Sequence, residues 1–294
     1  MLTHTPIKRK KIISLTMNKK LLKFFKIVGI VVVILYVSIC ALLYFNQDDL
    51  LFHPQPKTLA DVSKTLEAAP EFDTLTFVMK DGNRTCGYIS KDTVKEKLPL
   101  VLYFGGNAEE VSHLSDFKKY FPNTIMALIN YRSFGLSQGV ISEQTMFSDA
   151  LEVYDKLITN PEVDANNVVV IGRSIGTGVA TYLSSQRKTN ATVLITPYEN
   201  MIDVAFEKYP FVPISLLIKH RFESDTYAPN ISSPMLALIS ANDQIIPKHH
   251  AYKLKEAWKG KTEALEVIED HNSIMNNEDV WKKIEEFVQA NSSK

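Results

Sequence analysis

Val168-Val169-Val170-Ile171-Gly172-Arg173-Ser174-Ile175-Gly176-Thr177-Gly178-Val179-Ala180 passes from a β-branched apolar run, through a serine with a glycine two positions to either side, into a stretch of small residues. The β-branched run reads as a buried strand, and Ile175 to Gln186 reads as a helix. A strand that turns at once into a helix forces the residue at its apex into strained backbone angles and brings neighbouring chain very close. Gly172 and Gly176 are the residue type that tolerates such crowding. Ser174, at the apex, is the candidate nucleophile.

Outward from this turn the chain repeats one rhythm. Thr74 to Met79 and Thr85 to Ser90 alternate apolar and polar residues around Asp81-Gly82-Asn83, which predicts an antiparallel hairpin. Apolar strand candidates then follow at Leu100 to Phe104, Thr124 to Ile129, Val168 to Ile171, Thr192 to Ile195, Met235 to Ile239 and Ala264 to Ile268. Helical stretches lie among and after them, at Glu109 to Tyr120, Glu143 to Ile158, Ile175 to Gln186, His249 to Trp258 and Glu278 to Ala290. Repeated β-α units predict an α/β fold, a mostly parallel sheet with helices on both faces. Between Thr196 and Ser233 the rhythm breaks in a segment rich in Phe, Tyr, Pro and Leu, read as a small helical cap over about 197–233.

In a parallel sheet, functional loops lie beyond the carboxyl ends of the strands, and Ser174 occupies that edge. A serine hydroxyl needs a base to take its proton and a carboxylate to orient that base. His271 follows the last strand candidate, and Asp243 follows the one before it, giving the chain order Ser, Asp, His. Glu199 or Asp225 is an alternative acid, and Asp243 is alternatively a cap for the helix beginning near Lys248. Asp270 is a poor orienter of His271, because adjacent side chains point apart. Negative charge developing on a substrate oxygen must be met by preaimed N–H groups. Candidates are Ile175, just after the nucleophile, and Asn107, after Phe104-Gly105-Gly106.

The N-terminal region has a different character. Met1 to Lys26 carries eight Lys or Arg residues and no acid, which leaves 25 basic against 33 acidic residues in the remainder. That mildly acidic remainder is a poor match to nucleic acid. Ile27 to Phe45 is an uncharged apolar run of 19 residues, close to the ~20-residue helix that crosses a bilayer. Basic residues before it and Asp48-Asp49 after it predict a signal-anchor with a cytoplasmic N-terminus and an extracytoplasmic catalytic domain. A cleaved signal peptide, a lipid anchor at Cys40 and a start at Met17 are the alternatives. Residues 46–70 read as a polar connector, extended or turn-rich, with Phe52-His53-Pro54 packed on the edge of a domain spanning 71–294.

Cys40 and Cys86 are the two cysteines, too few for a disulfide framework. The sequence has no paired-cysteine motif and no His-x-x-x-His spacing. His249-His250 reads as a helix-start pair rather than a ligand set, so neither a metal nor an organic cofactor is expected.

Taken together, Leu102-Tyr103-Phe104-Gly105-Gly106-Asn107-Ala108, Asn130-Tyr131-Arg132-Ser133-Phe134-Gly135-Leu136-Ser137-Gln138-Gly139, the Gly172 to Gly176 turn, Asp243 with Ile246-Pro247, and His271-Asn272 resemble the α/β-hydrolase superfamily. More narrowly, they resemble its Bem46-like or ABHD13/ABHD17-like membrane-anchored serine hydrolases. The resemblance implies Ser174 as nucleophile, Asp243 as acid, His271 as base, and an oxyanion hole near Asn107 and Ile175. Two positions depart from the family pattern: Gly105 stands where a histidine is usual, and Asn130 where an aspartate is usual. The expectation is a membrane-anchored serine hydrolase that cleaves carboxylic esters or thioesters of small or lipid-like acyl substrates. The alternatives are a peptidase or amidase of the same fold and a catalytically silent binding protein.

Overall fold

The computed structural model describes residues 19–92 and 96–292. The basic residues before Lys19, and Met17, lie outside them. The chain divides into two units between Phe45 and Asn46. Helix α1 (Lys19–Leu51), most of which belongs to the first unit, carries the apolar run. An 18-residue stretch of it with mean hydropathy 2.8, and its length, are those of a helix able to cross a membrane, at about 50 Å for 33 residues.

The second unit begins within the expected connector, which is more structured than its composition suggests. Helix α2 (Leu59–Ala68) starts at a capping box, in which Thr58 and Asp61 each bond the other's backbone N–H. This threonine-to-acid spacing satisfies two of the orphan donors at a helix start and is why the segment is not extended throughout. Phe52 is buried in the main core, and Pro56 bridges to Gly135.

Strands β1 (Phe72–Val78) and β2 (Arg84–Ser90) form the predicted hairpin, turning through Gly82 at φ 84°. Then come β3 (Leu98–Phe104), β4 (Ile125–Ile129), α3 (Glu143–Leu157), β5 (Val163–Arg173), α4 (Ile175–Gln186) and β6 (Ala191–Ile195). The cap segment holds the short helices α5 (Met201–Lys208), α6 (Ile214–Leu217) and α7 (Ser224–Tyr227). Strand β7 (Met235–Ser240), α8 (Lys248–Ala257), β8 (Thr262–Val267) and α9 (Glu278–Asn291) complete the order. Two expectations shift. Val111–Tyr120 is a 3-10 helix rather than an α-helix. Strand β5 reaches back to Val163 through the polar Asp164 to Asn167, because Val163 pairs with Leu98 across a register shift in β3.

The sheet runs β1-β2-β4-β3-β5-β6-β7-β8. β1 and β2 are antiparallel to their neighbours, and every pairing from β4 onward is parallel. Strand residues alternate between two cores. Leu100, Leu102, Val168 and Val170 face Val153, Val179, Leu183 and Leu254 of α3, α4 and α8. Val101, Tyr103, Val169 and Ile171 face Leu114 and, on α9, Trp281, Ile284 and Phe287. Apolar residues in near-continuous runs are what a sheet covered on both faces requires, and the layout aims the carboxyl ends of β3, β5, β7 and β8 at one edge.

Candidate active site

Ser174 joins β5 to α4 with φ 51° and ψ −121°, a backbone conformation that is uncommon and strained for a residue with a side chain. The surroundings over-determine it. Its N–H donates to the Ile195 carbonyl, and its own carbonyl accepts from the Thr177 N–H and hydroxyl. A Cβ on Gly176 would lie 2.3 Å from the Phe104 carbonyl oxygen, and one on Gly172 2.3 Å from that of Gly176. Both glycines are therefore demanded by close approach of backbone to backbone.

The three distant side chains meet at the sheet edge. His271 Nε2 lies 3.0 Å from Ser174 Oγ, and His271 Nδ1 lies 2.6 Å from Asp243 Oδ2. All three residues are buried. A carboxylate only accepts hydrogen bonds, so the proton of a neutral His271 sits on Nδ1 and leaves the Nε2 lone pair facing the hydroxyl. Asp243 is fixed in turn, because its Oδ1 accepts the N–H groups of Ile245 and Ile246 at 2.8 and 2.7 Å. The two loops are stitched together by Ser240 bonding the Glu269 carbonyl and by Asn242 bonding that of Ile268. The other acids are engaged elsewhere: Glu199 bonds His250, and Asp225 bonds Asn200. Asp243 caps no helix, since α8 has Pro247 at its N-cap and no side-chain cap bond. Asp270 accepts the N–H groups of Asn272 and Ser273.

The glycine-rich loop after β3 covers the serine. A Cβ on Gly106 would sit 3.7 Å from the Ser174 Cβ. The Gly106 N–H is occupied, donating to Glu109 Oε2 at 2.7 Å. Asn107 is braced from outside, its carbonyl accepting the His53 N–H and its side-chain amide donating to Leu51. Its backbone N–H has no acceptor among the described residues. Ile175 opens α4, where the first N–H groups have no partner within the helix.

Sequence reading missed Glu109. This buried carboxylate pairs with Arg173 at 3.1 Å and His113 at 3.3 Å. Burial works to raise its pKa, but the bonds from His113, Arg173 and the Gly106 N–H outweigh it and hold the group below the usual carboxylate range. An acid three residues beyond a glycine turn was the available signal. Glu109 also accounts for Gly105, since a Cβ there would press on it at 3.1 Å. Asn130 has a similar explanation. Its amide donates to Glu110 Oε1 at 2.8 Å and its oxygen accepts the Val111 N–H, a pattern that an aspartate opposite Glu110 cannot reproduce.

The dienelactone hydrolase family profile matches residues 135–271. An uncharacterized protein of Mycobacterium tuberculosis is 27% identical over 70% of this chain and 73% of its own length. Lysophosphatidylserine lipase ABHD12 of Rattus norvegicus is 29% identical over 56% of this chain and 46% of its own. Among solved structures, the Pyrococcus furiosus esterase Pf2001 superposes with a TM-score of 0.65 at 16% identity, covering 83% of this chain and 98% of that one. With two antiparallel strands leading a parallel sheet, and a serine held at positive φ where β5 meets α4, the chain is a hydrolase of the α/β-hydrolase superfamily.

Proposed function

We propose that the protein is a membrane-anchored serine hydrolase that cleaves carboxylic esters or thioesters through an acyl-enzyme. The observation that carries this is the unbroken Ser174–His271–Asp243 relay, with contacts of 3.0 and 2.6 Å. Ser174 Oγ attacks the substrate carbonyl carbon as His271 Nε2 takes its proton, and Asp243 stabilises the imidazolium that forms. The carbonyl oxygen gains the negative charge and is met by the N–H groups of Asn107 and Ile175. His271 then protonates the leaving alcohol or thiol. The same base activates water, which releases the acid and restores the serine.

An acyl chain as the substrate is supported by the cap, whose Phe206, Phe211 and Leu216 are exposed, and by the lipase named among the relatives. Helix α1 as an anchor is supported by the uncharged run from Ile27 to Phe45 that it carries. The basic residues around Lys19 to Lys26 support a cytoplasmic N-terminus with the hydrolase unit on the other side.

A fluorophosphonate probe should label the full-length protein at one site, and Ser174→Ala should abolish both the label and nitrophenyl ester hydrolysis, lowering kcat by roughly 10⁴- to 10⁶-fold. Absence of labelling in well-folded wild type would instead make this a silent binding protein. Faster turnover of amides than of matched esters would make it an amidase.

A further inference from the structure

Far along the chain from the serine, α5 of the cap and the first turn of α8 bring three ligand-type side chains together. Nitrogen or oxygen atoms of Glu207, His249 and His250 all lie within 4.8 Å of one another. Consecutive helix residues ordinarily point apart, yet the His249 and His250 rings are 4.2 Å apart between centroids. His249 Nε2 is 2.7 Å from Glu207 Oε1. His250 is completely buried, and its two nitrogens are in unlike situations. Nδ1 lies 2.7 Å from Glu199 Oε2, and Glu199 in turn accepts from Lys253 at 2.8 Å. Nε2 is buried without a hydrogen-bond partner, facing Glu207 Oε2 at 3.5 Å.

That contrast fixes the chemistry. Glu199 can only accept, so a neutral His250 carries its proton on Nδ1, and its Nε2 presents a bare lone pair to a carboxylate oxygen. Two lone pairs facing each other, one of them on a fully buried ring, repel unless a proton or a metal cation stands between them. A carboxylate that orients an imidazole through the far nitrogen is also how proteins support metal-bound histidine. Glu207, Glu199 and Asp203 bring three carboxylates to this end of α8, two of them paired with Lys253, a donor set that suits a divalent ion.

We propose that His249 Nε2, His250 Nε2 and the Glu207 carboxylate form a binding site for a divalent transition metal of the zinc class, oriented by Glu199 and completed by water. Four-coordinate zinc with ~2.0–2.1 Å bonds needs ligand atoms about 3.3 Å apart, a modest contraction that the half-exposed His249 and Glu207 side chains can make. On binding, His249 loses the Nε2 proton it shares with Glu207, to its own Nδ1 or to solvent. The ion would clamp the cap helix α5 to α8, the helix that follows the Asp243 loop.

The test uses untagged full-length protein in detergent, stripped with chelator and titrated with Zn²⁺ by calorimetry. Co²⁺ absorption provides a second readout. One equivalent should bind per chain, Zn²⁺ should raise Tm, and Co²⁺ should give the visible bands of a four-coordinate site. Glu207→Gln and His249→Ala, both at half-exposed positions that tolerate change, should each weaken binding about 10- to 100-fold. Their double variant should lose the Tm shift while folding normally. No saturable binding, or equal affinity in the double variant, would overturn the site and leave His250 as an imidazolium bridging Glu199 and Glu207.

Discussion

Side chain by side chain, the site was largely legible where one residue type has one chemical use. Ser174 is marked by the glycines that backbone contacts require, and His271 and Asp243 by following successive strands. Glu109 offered only its spacing from the glycine turn, and Glu110 offered nothing, because an acid in a loop does not announce whether it will be buried. Glu110 nevertheless sets the identity of its neighbour. Asn130→Asp, restoring the residue usual in the family, would place two carboxylates where an amide now donates at 2.8 Å. We expect a loss on the order of 3 kcal/mol in unfolding free energy, measured by denaturant titration, and recovery on adding Glu110→Gln.

At the level of elements, strand assignments succeeded because buried strands in a parallel sheet are continuous apolar runs, as in β3, β4 and β6. Within the connector, a capping box sets a helix, α2, into a polar stretch read as extended or turn-rich, and the 3-10 helix at Val111 could not be told from an α-helix by periodicity. One tertiary link was invisible in sequence: Arg132 grips Asp81 of the hairpin turn at 2.5 Å and Asp149 of α3 at 2.7 Å. The Arg132 guanidinium, with Asn83, lowers the Asp81 pKa to about 2. A carboxylate depressed in this way contributes stability above its ordinary value of 3.8 and loses it as pH falls through about 2. Wild type should therefore melt above Asp81→Asn at pH 6, with the gap closing between pH 4 and 2. A gap that persisted at pH 2 would count against the ion pair.

For the whole molecule, the division at Phe45 separates a candidate anchor from a unit with its own two-sided core. If α1 is retained as an anchor, full-length protein will resist alkaline extraction from membranes. A chain beginning at Asn46 will be released yet label with fluorophosphonate at an unchanged rate. Recovery of a mature form lacking α1 would mean that the segment is a cleaved leader.

The unfavourable geometry at position 174 has an outcome for durability. Glycine visits φ 51° freely, so Ser174→Gly removes the hydroxyl proposed as nucleophile and relaxes a conformation that costs roughly 1–3 kcal/mol in a residue with a side chain. Glycine's greater freedom when unfolded offsets part of that gain. The inert protein should melt no lower than the parent, and by our reckoning a degree or two higher. On the proposed mechanism, the hydroxyl that attacks substrate is then held at a cost in durability, the trade expected where reactivity needs a strained backbone.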